Sequence, residues 1–187
     1  TLDKDEVQIK ANVSSQYISA LLIIATKLKN GLKLHLEGKT TSVPYIKMTL
    51  SLLEQIGVET SFKGQVIEVK PYLETASKTL TVESDWSSSS YFYSIISLSP
   101  VGTQIALSTY KKDSLQGDAV LQYIYKKLGV ETRFEGTKVI LTKISYNLVA
   151  SVDVDLANAP DIAQTIVVSC LGLQIQCRLT GLHTLKI

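Results

Sequence analysis

An α/β (α+β) fold assembled from a repeated strand, helix, strand, helix, hairpin unit is the architecture this sequence predicts, and three observations lead there. The tetrapeptide Gly-Val-Glu-Thr occurs twice, at Gly57 and again at Gly129, 72 positions further on. Each copy follows an apolar segment of helical period and precedes a phenylalanine, Phe62 or Phe134. Between the helical segments lie short runs in which apolar and polar residues alternate, the pattern of a half-buried strand.

Taken in order, residues 15–29 carry apolar side chains at Tyr17, Leu21, Ile24 and Leu28, a helical stripe, and Leu32, Leu34 and Leu36 then alternate as a strand. Tyr45, Met48, Leu52 and Ile56 form the stripe of a second helix that Gly57 closes as a left-handed cap. A hairpin follows, residues 59–62 against 66–70, joined through Gly64. The cycle then restarts. Leu80 and Val82 predict a strand, and residues 87–99 a helix with Tyr91, Phe92, Ile95 and Ile96 inward and a stop at Pro100. Ile105 and Leu107 predict a strand, Val120, Ile124 and Leu128 a helix capped by Gly129, and residues 131–134 with 139–143 a second hairpin through Gly136. A third cycle has a strand at Val152 and Val154, a helix over 160–172 with Pro160 in its first turn and Ile162, Ile166, Val167 and Cys170 inward, and a strand at Ile175, Cys177 and Leu179. This third cycle stops after its second strand, short of a helix and a hairpin.

Composition removes several function classes. The 187 residues are 45% apolar and 19% charged, which suits a globular chain of one or two domains. Nineteen Lys plus Arg stand against 17 Asp plus Glu, with no basic block longer than a pair, so there is no electrostatic footprint for a nucleic acid backbone. Cys170 and Cys177 sit in apolar surroundings without metal-ligand spacing and read as reduced thiols, and no cofactor is expected. No apolar run reaches about 18 residues, the length of a membrane span, and residues 1–10 hold no signal-peptide core, so a cytoplasmic location is expected without a membrane partner. His35 and His183 stand alone and read as structural, and Lys111-Lys112 as a solvated loop.

Three segments then stand out by their order and spacing: Val13-Ser14-Ser15-Gln16-Tyr17, Ser42-Val43-Pro44-Tyr45, and Glu83-Ser84-Asp85-Trp86-Ser87-Ser88-Ser89-Ser90-Tyr91-Phe92. Gln116-Gly117-Asp118 and Ala159-Pro160-Asp161, with Asp155 upstream, complete the set. Five such pieces in register on a matching repeat resemble the enolpyruvyl transferase family, and within it the shikimate-pathway branch. The resemblance implies two similar domains, each of three repeat units, of which this chain would be an incomplete piece: residues 1–83 the last part of one domain, and 84–187 one full and one truncated unit of the other. It also implies transfer of the enolpyruvyl group of phosphoenolpyruvate to the 5-hydroxyl of shikimate 3-phosphate.

Site residues follow from the same resemblance. Ser14, Ser15 and Ser42 would bind the phosphate of shikimate 3-phosphate, Tyr45 would assist there, Gln16 would reach toward both substrates, and Asp161 would bind the reacting hydroxyl and accept its proton. Each has a plainer reading: serine routinely caps a helix, and an aspartate in a first helical turn is favoured by the helix dipole. Asp85 reads as a cap and Trp86 as a packing residue. Val43 stands where many relatives carry Lys, Ser84 where Gly is common and Trp86 where Ala is common, so one cation beside the phosphate is missing. The cation set that binds phosphoenolpyruvate falls outside this chain, which is therefore expected to be inactive alone. Two rival readings are a sister transferase acting on a UDP-linked amino sugar, and a non-catalytic repeat module that holds a protein partner. The incomplete third cycle leaves apolar sheet surface uncovered, so self-association or marginal stability is expected; monodispersity at high concentration with a sharp, high melting transition would count against it.

Overall fold

The computed structural model describes residues 5–11, 14–38, 40, 42–72, 77–146 and 148–182, and the chain folds as two compact units, 1–80 and 81–187. The first unit is β1 (Glu6–Lys10), α1 (Ser15–Ala25), β2 (Leu32–Glu37), α2 (Val43–Gln55), β3 (Thr60–Lys63) and β4 (Val66–Val69). Its sheet runs β1-β2-β4-β3, with β1 and β2 parallel and the β3-β4 hairpin antiparallel to β2. Leu34, Leu36, Ile67 and Val69 point from this sheet into a core shared with Ile18, Leu22, Ile46, Leu50 and Leu53 of the helices.

The second unit contains α3 (Trp86–Leu98), β5 (Gln104–Leu107), α4 (Leu121–Lys126), β6 (Val130–Glu135), β7 (Lys138–Lys143), β8 (Ser151–Asp155), α5 (Ala163–Gly172) and β9 (Gln176–Thr180). Short 3-10 turns lead into α4 (Gly117–Val120) and α5 (Pro160–Ile162). The order β5-β7-β6 repeats the β2-β4-β3 arrangement, and the parallel pair β8-β9 repeats β1-β2. The duplication seen in Gly-Val-Glu-Thr is therefore a duplication of topology.

Both glycines cap as expected. Beyond α2, Gly57 takes φ 100° and its N–H donates to the Glu54 carbonyl at 2.9 Å, while the Val58 N–H reaches the Leu53 carbonyl at 3.0 Å, the paired bonds of a Schellman end. Gly129 takes φ 76° after α4. There the buried Lys143 ammonium also donates to the Leu128 carbonyl at 2.9 Å, beneath the Tyr146 ring, and burial lowers its pKa.

Two expectations need correction. Residues 77–85 form no strand, and Val82 is 83% exposed. Two alternating apolar residues cannot hold a strand without a ladder partner, and just past the end of β5 this segment makes one backbone bond, Ser84 N–H to the Thr109 carbonyl at 2.7 Å, beside a side-chain bond from the Ser84 hydroxyl to the Ser108 carbonyl at 2.9 Å.

The helical stripes are also rotated. In α1 the buried residues are Ile18, Leu22 and Ala25 while Tyr17 is 68% exposed, and in α2 they are Ile46, Thr49, Leu50 and Leu53. In α3 the buried face holds Trp86, Ser89, Ser90, Tyr93, Ser94, Ile96 and Ser97, leaving Tyr91, Phe92 and Ile95 exposed. The α5 stripe departs only at Val167, which is exposed; Ile166 and Cys170, with Ile162 in the turn before the helix, are buried as expected. Serine can face a core because its hydroxyl bonds the preceding turn, as Ser89 does to the Trp86 carbonyl (2.6 Å) and Ser97 to the Ser94 carbonyl (2.8 Å). A hydroxyl chain, Tyr125 to Ser169 to Ser94 with both steps at 2.8 Å, then joins α4, α5 and α3. Small side chains allow the close approach of α3 and α5, and Tyr91, Phe92 and Ile95 are left on the outer face. His183 lies outside the described residues.

Candidate functional site

Because β1 and β2 run parallel, with Val7 opposite Leu34, both end at the same edge of the sheet, and the helix after each must begin there. Open α/β sheets receive ligands at that carboxyl edge. Ser14 is the N-cap of α1, its Oγ accepting from the Gln16 N–H at 3.3 Å; Ser15 is half-buried and the Gln16 side chain exposed. Ser42 caps α2, whose first turn contains Pro44, and the Tyr45 N–H donates to the Ser42 carbonyl at 3.1 Å. The two helices pack together, with the Thr49 hydroxyl hydrogen-bonded to Ser19 Oγ at 3.0 Å. Five of the six expected site residues thus lie at the amino ends of two neighbouring helices. Neither α1 nor α2 has an acidic residue in its first turn, so the positive dipole ends are uncompensated.

Ser42 differs from Ser14 in a way that matters. Its backbone is left-handed (φ 51°, ψ 37°), a conformation that costs a non-glycine residue about 1 kcal/mol or more, and its side chain makes no capping bond although it is only 9% exposed. The hydroxyl is therefore held at the helix start without a structural duty there. Ser42→Gly is expected to raise the chain's stability by up to about 1 kcal/mol, read from urea unfolding, while weakening anion binding at this edge. A destabilised variant, or one that binds anions as before, would contradict this.

In the second unit the start of α3 is bound into a polar network. Asp85 caps the helix, accepting from the Ser87 N–H (3.0 Å), the Ser88 N–H (3.2 Å) and the Ser88 hydroxyl (2.6 Å). Burial raises its carboxyl pKa, but these donated bonds outweigh that and hold it below the ordinary value. The Glu83 carboxylate accepts from the Trp86 indole N–H (2.9 Å), the Lys111 N–H (3.0 Å) and the Ser114 hydroxyl (3.0 Å). Gln116 bridges from the Trp86 N–H to the Ser84 carbonyl, both at 2.9 Å, and the Ser87 hydroxyl donates to the fully buried Asp118.

Asp161 occupies the 3-10 turn before α5, exposed between the buried Pro160 and Ile162, which hold the turn in place. Asp155, at the end of β8, accepts from the Ala157 N–H at 2.9 Å and so shapes the loop that delivers Asp161. Asp161 belongs to the second unit and the other five to the first. The anchoring roles of Glu83, Gln116 and Asp118 escape sequence reasoning because their partners lie about 30 positions away, beyond any local periodicity. Among the described residues no group of three or more His, Cys, Asp or Glu is placed to hold a metal ion, and no helix is long and apolar enough to cross a membrane.

Comparison with known proteins matches residues 1–187 to the family model for EPSP synthase (3-phosphoshikimate 1-carboxyvinyltransferase). Two curated relatives from Bacteroides fragilis, both named 3-phosphoshikimate 1-carboxyvinyltransferase, are 42% identical over 189 residues and 44% identical over 187. Each is matched by 100% of this chain, which spans 45% of the relative's own length. A relative of the same name from Methanospirillum hungatei is 30% identical over 190 residues, covering 100% of this chain and 44% of its own length. Among solved structures, an EPSP synthase from Acinetobacter baumannii shares the fold with a TM-score of 0.60 at 17% identity, covering 84% of this chain and 36% of that one.

Proposed function

Because this chain belongs to the EPSP synthase family, we propose that it carries part of the machinery that transfers the enolpyruvyl group of phosphoenolpyruvate to the 5-hydroxyl of shikimate 3-phosphate, releasing phosphate. The observation that carries this reading is the pair of uncompensated helix amino ends at one sheet edge, with Ser14, Ser15 and Gln16 on one and Ser42 and Tyr45 on the other. Backbone N–H groups and hydroxyls there suit a phosphate dianion before any cation is counted. In the reaction the 5-oxygen bonds to C2 of phosphoenolpyruvate while C3 gains a proton and becomes a methyl group, and the tetrahedral adduct then loses one C3 proton and phosphate. Asp161 accepts the hydroxyl proton as the new C–O bond forms. Ser14, Ser15, Ser42 and Tyr45 hold the sugar-like acid, and Gln16 reaches toward both substrates.

The cations that bind phosphoenolpyruvate we assign to the part of the relatives' length that this chain, spanning 45% of it, does not match. The isolated 187-residue chain is therefore expected to release no phosphate from the two substrates together. Exchanging it for the matching stretch of the 44% identical relative should give an active chimaera. Titrating the isolated chain with shikimate 3-phosphate should shift the amide resonances of Ser15, Gln16 and Tyr45. Phosphate release by the isolated chain, or no response at those amides, would overturn the proposal. Exposed Tyr91, Ile95 and Val168 on the outer face of α3 and α5 support self-association of this chain, to be checked by its elution at rising concentration. We place the reaction in the cytoplasm, where doubly charged substrates are retained; recovery of the protein in an extracellular fraction would contradict this.

A further inference from the structure

The two cysteines lie on neighbouring elements of the second unit, Cys170 buried on α5 and Cys177 exposed on β9. Side chains alternate along a strand, so Ile175, Cys177 and Leu179 share one face, and Ile175 and Leu179 pack against the core cluster that contains Cys170. The register agrees: Cys177 stands opposite Val152, which is fully buried in that cluster. The chain passes from α5 to β9 through a tight turn closed by the Ile175 N–H and the Cys170 carbonyl at 2.9 Å. Because α5 packs on β9, the core-facing side of the strand at Cys177 lies against the helix that carries Cys170.

We propose that Cys170 and Cys177 are a thiol pair that closes to a disulfide between α5 and β9 by exchange with a small-molecule disulfide such as oxidised glutathione. The exposed Cys177 thiolate attacks one sulfur of that disulfide, forming a mixed disulfide and expelling one thiolate. Cys170 then loses its proton to solvent and attacks Cys177 Sγ; the mixed disulfide breaks and the second thiolate leaves. The protein loses two electrons and two protons, and the oxidant becomes two thiols. Burial, with the Cys177 thiol alongside, pushes the Cys170 thiol up to about 12, so closure is the slower step and the mixed disulfide appears first.

The test treats the 187-residue chain with oxidised glutathione and follows intact mass and free thiols, once in buffer and once in urea. The expected end product in buffer has no free thiol and no bound glutathione. Its closed-to-mixed ratio should exceed that in urea by about tenfold, because folding holds the partners together. Cys170→Ser should stop at the glutathione adduct, and Cys177→Ser should react far more slowly than the parent chain. A lasting adduct on Cys177 beside an unreacted Cys170, a disulfide-linked dimer, or equal ratios in buffer and urea would overturn the proposal.

Discussion

Asp161→Asn in the active chimaera is expected to lower kcat by about 100- to 10,000-fold, the range for loss of a general base, with a much smaller change in KM for shikimate 3-phosphate. The amide keeps the size and hydrogen-bonding reach of the carboxylate but cannot take the proton of the 5-hydroxyl. The residue is exposed, and the buried Pro160 and Ile162 hold its turn, so stability should change by no more than about 0.5 kcal/mol. Steady-state kinetics beside a urea melt separates the two effects. A rise in KM with kcat preserved would make Asp161 a binding residue only, and wild-type kinetics would remove it from the site.

Trp86→Ala is expected to destabilise the second unit by about 3–5 kcal/mol, as deletion of a buried tryptophan does. That is a large share of the roughly 5–15 kcal/mol that holds a domain folded. Trp86 is fully buried, meets Tyr110 edge-on with ring centroids 5.1 Å apart, and touches Phe134. Its indole N–H is one of the three donors on Glu83, so the deletion also loosens the network that starts α3. The core of the first unit contains none of these residues. Hydrogen exchange should therefore show lost protection in β6 and β7 and retained protection in β2 and β4. Equal loss in both units would refute the separation of the cores.

Helix positions and both hairpins were legible because each rests on a local device: a cap, a proline, a left-handed glycine or a periodic run. The inward faces were legible only in part, as in Ile124, Leu128, Ile166 and Cys170. A period of 3.6 states that a helix has an apolar side but not which of two adjacent stripes meets the sheet, and α3 shows how far this can mislead. Ser89, Ser90, Ser94 and Ser97 face the core beside Trp86, Tyr93 and Ile96, while Tyr91, Phe92 and Ile95 do not, because hydroxyls bonded to the preceding turn are satisfied without water. The failed strand at Leu80 and Val82 has the related cause that alternation supplies no hydrogen-bonding partner.

The amino-acid order alone determined the repeat unit, its glycine-capped helices and hairpins, and the residue types at the helix starts, since these depend on neighbours within a few positions. Only the tertiary structure decided that Ser14 and Ser42 begin helices at one sheet edge, that Ser42 is held in a left-handed conformation, and that Glu83, Gln116 and Asp118 anchor α3. Those outcomes depend on the parallel pairing of strands and on contacts about 30 residues apart, and such pairings are set by the packing of whole elements.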